Sequence, residues 1–142
     1  MAEPSLELDE NPTAEAFRII LNGVRAFNRV QTGNESPRSV AYFLRDERSE
    51  IVGGVQGTLW GRSMHIDGLW VDDGYRGQGF GSRLMKAIEA YAASHNHSLV
   101  YLETTSFQAL PFYRGLSYEV FGELPEISKG ETLFFLKKEL SR

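Results

Sequence analysis

The chain has 142 residues, no cysteine, 15 Lys and Arg against 19 Asp and Glu, and a formal net charge of −4. That length suits one domain over residues 1–142, which buries roughly 68% of the surface its unfolded chain exposes. Without cysteine there is no disulfide, zinc–thiolate site, iron–sulfur cluster or thiol nucleophile, and the acidic balance speaks against nucleic acid as a partner.

The longest unbroken apolar run, Val40 to Leu44, is far short of the ~20 residues of a membrane span. The N-terminus lacks the basic and apolar regions of a secretory signal, so a cytoplasmic protein that meets no membrane is expected. Residues 1–12 hold two prolines and four acids and form at most a short edge strand or extension, leaving a core over about 14–140. Thr13 reads as an N-cap for a helix over 14–30, with Phe17, Ile20, Leu21 and Val24 at helical spacing.

Residues 39–45, 51–59 and 64–71 read as three strands of an antiparallel meander, joined at Asp46–Ser49 and at Gly61-Arg62-Ser63. Strict alternation in the third puts His65, Asp67, Leu69 and Val71 on one face, and Met64, Ile66, Gly68 and Trp70 on the other. A helical period follows from Gly81 to Ser94, with Leu84, Met85, Ile88, Tyr91 and Ala92 on one face. Leu99–Leu102 reads as a central strand covered on both sides, Phe107–Leu116 as a short helix, and 118–124 and 132–140 as closing strands. The fold class is α/β (α+β): a mixed, mostly antiparallel sheet flanked by helices.

Between the third strand and the second helix runs Tyr75-Arg76-Gly77-Gln78-Gly79-Phe80-Gly81-Ser82. Glycines let backbone come close to a ligand, and the helix N-terminus beyond them offers unpaired N–H groups and a positive dipole end. Together they suit a phosphate or pyrophosphate, and Arg76 adds a charge-assisted donor. Two familiar alternatives fail on spacing. No Lys-Ser or Lys-Thr of a P-loop is present, and Gly77, Gly79 and Gly81 do not fit Gly-x-Gly-x-x-Gly.

The loop, with the strand residues Leu69-Trp70-Val71 before it, resembles the core motif of the GNAT superfamily of N-acetyltransferases. The family's second motif has its counterpart in Phe112-Tyr113-Arg114-Gly115-Leu116-Ser117-Tyr118, Tyr113 falling 37 positions after Arg76. The order of elements also matches. The resemblance implies that Arg76, Gly77, Gln78, Gly79, Phe80, Gly81 and Ser82 hold the pyrophosphate of acetyl-CoA. It implies that Leu69, Trp70 and Val71 pair with the pantetheine arm, that the Val71 N–H polarises the thioester carbonyl, and that Tyr113 both contacts the cosubstrate and protonates the departing thiolate. Two positions depart from the pattern. Ser106 stands where the family often has Asn (Ala109 fits), and Ser117 replaces the usual Gly before the final aromatic. Either Ser117 takes the left-handed turn after the helix, or Gly115 ends the helix earlier.

Acetyl transfer to an amine requires that the amine lose a proton, which costs about 4.6 kcal/mol at pH 7 for a free alkylammonium. His65, where some family members carry a catalytic glutamate, is a candidate base, with an ordinary pKa near 6.5. Asp67 and Glu103 are candidates to hold the amine's charge or take its proton. His95 and His97, two apart with no carboxylate nearby, make a poor metal site, and no metal is expected. Trp60, Trp70, Tyr42 and Phe43 read as core or interface side chains, with walling of an amine site, through the attraction of aromatic faces for cations, as the alternative.

The expected activity is acetyl transfer from acetyl-CoA to a small primary amine or a peptide or protein amino group, directly within a ternary complex. A non-catalytic acyl-CoA-binding or sensing module on the same fold is the alternative. The run Leu133-Phe134-Phe135-Leu136 suggests an edge strand through which two copies pair as a homodimer.

Overall fold

The structure, a computed structural model, describes residues 2–33, 35–105 and 107–140. Ser106, one of the two departures from the family pattern, lies outside them. The chain forms two compact units, Met1–Ser36 and Pro37–Arg142.

In the first unit, residues 2–9 have no regular secondary structure, and helix α1 spans Ala14–Gln31. Thr13 caps it as expected, its extended backbone turning the side-chain oxygen to accept from the Ala16 N–H at 3.1 Å. No residue of α1 is buried, and Phe17, Ile20, Val24 and Phe27 are all more than a third exposed.

The second unit holds β1 (Arg38–Arg45), β2 (Ile51–Trp60), β3 (Ser63–Val71), a 3₁₀ turn (Asp73–Tyr75), α2 (Phe80–Ser94), β4 (Leu99–Thr104), α3 (Ala109–Gly115), β5 (Glu119–Ser128) and β6 (Glu131–Glu139). Its six strands form one sheet in the order β1-β2-β3-β4-β6-β5. All pairs are antiparallel except β3 with β4, which α2 joins by a crossover. The last strand is therefore interior, paired on both sides. The expected dimer edge at Leu133–Leu136 does not exist, because β5 folds back to occupy the outside position.

The core lies where α2 and α3 meet the sheet. Val55 and Leu59 of β2, Met64 and Ile66 of β3, Leu84, Met85, Ile88 and Ala92 of α2, and Val100 and Leu102 of β4 are all buried there. Gly57 permits the close approach of α2. A Cβ at that position would meet Ile88 Cδ1 and Met64 Sδ, each at 3.1 Å. Burial along β4 alternates, Val100 and Leu102 buried against half-buried Tyr101 and exposed Glu103, rather than being complete on both faces, so Tyr101 and Glu103 point away from α2.

Strict alternation fails in β3. Opposite residues of an antiparallel pair share a face, and Leu59, Gly57, Val55 and Gly53 lie opposite Met64, Ile66, Leu69 and Val71. The register shifts between Gln56 and Gly57, leaving Asp67 as the extra residue of a β-bulge. Leu69 and Val71 consequently join Met64 and Ile66 on the core side. His65, opposite Thr58, looks out from the other face.

Candidate active site

The ladder between β3 and β4 is short, running from Ser63–Leu99 to His65–Tyr101. Beyond it the strands splay. β3 continues to Val71 and β4 to Thr104, and the opening between them leads to a cleft of about 790 Å³. Leu69, Trp70 and Val71 form one wall, the loop Tyr75–Ser82 another, and Gln108, Ala109, Phe112 and Tyr113 the third. Of the residues assigned to the cosubstrate, Leu69, Trp70, Val71, Arg76, Gly77, Gly79, Phe80, Gly81, Ser82 and Tyr113 all line this cleft. Gln78 does not, because its amide turns back toward the Gly74 carbonyl at 3.5 Å.

The loop is shaped for an anion. Gly77 and Gly79 have φ of +74° and +85°, a region that L side chains adopt only under strain. Gly79 is the N-cap of α2 and supplies no side-chain acceptor, and the first turn carries no acid. Helix α1, by contrast, has both its Thr13 cap and Glu15 in its first turn. The leading N–H groups of α2 are thus left without a side-chain cap beside the cleft, which fits a pyrophosphate. Arg76 is already engaged. Its Nε donates to the Val71 carbonyl at 2.8 Å, and its Nη1 pairs with Asp73 at 2.7 Å. These contacts brace the loop against β3.

Tyr113 is 9% exposed on α3, with burial raising its phenol above its ordinary pKa of 10. It keeps its proton across the neutral range. Ser117 has φ +73°, Ser117 N–H donates to the Arg114 carbonyl and Tyr118 N–H to the Tyr113 carbonyl, each at 3.0 Å. Both alternatives for the end of α3 are met together: the helix stops at Gly115, and Ser117 takes the left-handed position of a Schellman turn.

His65, Asp67 and Glu103 converge at the apex of the splay, on the face opposite α2. His65 Nδ1 lies 2.6 Å from Asp67 Oδ1, and Nε2 lies 2.9 Å from both Glu103 oxygens. Burial pulls the imidazole pKa down, but the hydrogen bonds and charges of the two carboxylates outweigh it, so the ring titrates above its ordinary 6.5. Thr58, which sequence reasoning passed over, donates to Asp67 Oδ2 at 2.6 Å, and the Tyr101 ring lies 4.9 Å from that of His65. Thr58 was within reach of the sequence. The tight connection at Gly61-Arg62 pairs Trp60 with Ser63, and counting back brings Thr58 opposite His65. Tyr75, which opens the loop but was given no role, and Gln108, which precedes the second motif, also line the cleft.

His95 stacks on Tyr91 at 4.0 Å, and the His97 N–H closes the C-terminus of α2 on the Ala92 carbonyl. Among the described residues no group of three or more His, Asp and Glu side chains has the arrangement of a metal site, and no helix is long and apolar enough to cross a membrane.

Comparison with known proteins bears on this arrangement. A solved structure from Agrobacterium tumefaciens, 24% identical, superposes with a TM-score of 0.91 over 96% of this chain and all of that one, a likeness of fold. The crystal structure of an acetyltransferase from Bacillus cereus is 33% identical, with a TM-score of 0.79 over 94% of this chain and 98% of that one. Blasticidin-S acetyltransferase from Streptomyces morookaense is 37% identical over 119 residues, which are 82% of this chain and 88% of the relative. The model of the acetyltransferase (GNAT) family matches residues 8–118, which include the glycine loop, the histidine cluster and Tyr113. The chain belongs to the GNAT acetyltransferase family and is an acyltransferase.

Proposed function

We propose that this enzyme moves an acetyl group from acetyl-CoA to the amino group of a small cationic molecule, by direct transfer in a ternary complex, and that both units make up one N-acetyltransferase domain. The observation that carries this is the uncapped N-terminus of α2 behind the glycine loop, opening on a cleft that reaches from β3 to Tyr113. Acetyl-CoA supplies the activated acyl group as a thioester.

The glycine loop and the first turn of α2 hold the pyrophosphate. Leu69 to Val71 align the pantetheine arm, and the Val71 N–H is placed to polarise the carbonyl. On the opposite face two carboxylates surround one imidazole, a site that attracts an ammonium group. Glu103, the more exposed of the two carboxylates at 37%, takes the proton from the amine, and His65 shares it through Nε2. The nitrogen–carbon bond forms as the carbon–sulfur bond breaks, and Tyr113 gives its proton to the sulfur. With no cysteine in the sequence, no acyl-thiol on the protein takes part.

The acceptor class rests on the carboxylate pair and on the relative named for blasticidin S. The test is thiol release from acetyl-CoA with blasticidin S, a linear diamine and a lysine-containing peptide, with the acetylated product identified by mass spectrometry. Turnover of blasticidin S or the diamine above the peptide is expected. Preference for the peptide moves the acceptor to protein amino groups, and binding of acetyl-CoA with no turnover on any acceptor overturns the proposal. Tyr113→Phe is expected to lower kcat by about tenfold or more, with the KM for acetyl-CoA little changed.

A further inference from the structure

Among the described residues, the charged residue buried in the core is Glu89, on the inner face of α2 and 7% exposed. Both of its oxygens are used. Tyr118 Oη donates to Oε2 and Lys138 Nζ to Oε1, each at 2.7 Å. Tyr118 follows Ser117 at the end of α3, and its N–H closes on the Tyr113 carbonyl at 3.0 Å. Its ring stands edge-on to that of Tyr113, with centroids 5.8 Å apart, and Phe112 holds another side of Tyr113 at 5.0 Å. A chain of contacts thus runs from Lys138 on β6 through Glu89 on α2 to Tyr118, and from Tyr118 by backbone and ring to Tyr113.

Packing alone does not call for this arrangement. A phenylalanine at 118 would fill the same space, and burying a carboxylate costs free energy unless each oxygen is matched. What the phenol adds is direction. Its hydroxyl anchors on a carboxylate that Lys138 also holds, which fixes where the long axis of the Tyr118 side chain points and so the edge against which the Tyr113 ring packs. We propose that Glu89, through Tyr118, is a positioning residue that sets the ring of Tyr113 for proton delivery at the cleft. This rests on the reading of Tyr113 as the proton donor.

The test is a double-mutant cycle on the full chain, read with acetyl-CoA and blasticidin S, or the diamine if that is the better acceptor. Tyr118→Phe, which removes one oxygen, is expected to lower kcat about three- to tenfold at unchanged KM for acetyl-CoA. In the Tyr113→Phe background the same change is expected to lower it no further. Glu89→Gln is expected to follow Tyr118→Phe, and should it fail to fold, Tyr118→Phe carries the test alone. Independently of turnover, protein labelled with 3-fluorotyrosine gives a ¹⁹F signal for Tyr113, identified by its loss in Tyr113→Phe. That signal should shift or broaden in Tyr118→Phe. An equal loss of kcat in both backgrounds, or an unmoved Tyr113 signal, overturns the proposal. A wild-type kcat for Tyr113→Phe alone instead removes the proton-donor reading, and the proposal falls with it whatever Tyr118→Phe does.

Discussion

Ser117 pays a local cost for ending α3. Its φ of +73° is the position that helices most often give to glycine. An L side chain there is disfavoured by roughly 1–2 kcal/mol, and glycine recovers that less the ~0.5–1 kcal/mol of extra chain entropy it loses on folding. The turn is otherwise well made, with both carbonyl closures formed and the Tyr118 ring against Tyr113. Ser117→Gly should therefore stabilise the protein by about 0.5–1 kcal/mol and raise Tm by about 2–3 °C. Thermal unfolding measures it, and an unchanged or lowered Tm would show that the serine side chain contributes more than its backbone strain costs. The same conformational logic is put to different use at Gly77 and Gly79, where a Cβ would meet no other atom within 4 Å. Nothing crowds these positions, so glycine is there for backbone shape and for room at the cleft.

Taken as an element, the loop with the start of α2 yields a sharper expectation. Alanine at 79 would strain the backbone that aims the N–H groups of α2, and its methyl would stand where no atom now lies. Gly79→Ala should weaken acetyl-CoA binding at least tenfold, measured by calorimetry, while lowering stability by only about 1 kcal/mol. Unaltered affinity would move the anion site elsewhere. This element was legible in the sequence because glycine spacing and the switch to a helical period are local signals. The order of elements was legible for the same reason, as was the pairing of β2 with β3 across a tight connection. The bulge at Asp67 was not, since the apolar phase changes from 64 and 66 to 69 and 71 across a glycine, while Trp70 continues the first phase. Its effect reached further than itself, transferring Leu69 and Val71 to the core side. The interior position of β6 was equally hidden. Strand order depends on which edge β5 returns to, and an apolar run such as Leu133–Leu136 suits an inner strand as well as an edge.

At the scale of the whole molecule, the cluster at the apex of the splayed strands sets stability and activity against each other. His65 titrates in the folded protein above the value near 6.5 that it has in the unfolded chain. Over that interval the native state binds more protons than the unfolded state, so stability falls as pH rises. The contribution is fully present below about 6.5 and is lost as pH climbs through the raised native pKa. The proposed transfer needs the opposite, because a cluster already carrying its proton cannot take one from an ammonium group. Activity should therefore rise with pH across the window in which stability declines. Urea midpoints from pH 6 to 9 test the first half. The wild-type midpoint should fall through this range relative to that of His65→Gln, the difference between the two curves separating His65 from His95 and His97. Parallel curves would mean that Asp67 and Glu103 do not favour the imidazolium. The kcat profile tests the second half, with an inflection above 6.5 that His65→Gln abolishes or moves. An inflection left in place by that substitution would mean that the carboxylates take the proton without His65 sharing it, and leave His65 as the cation that orders them.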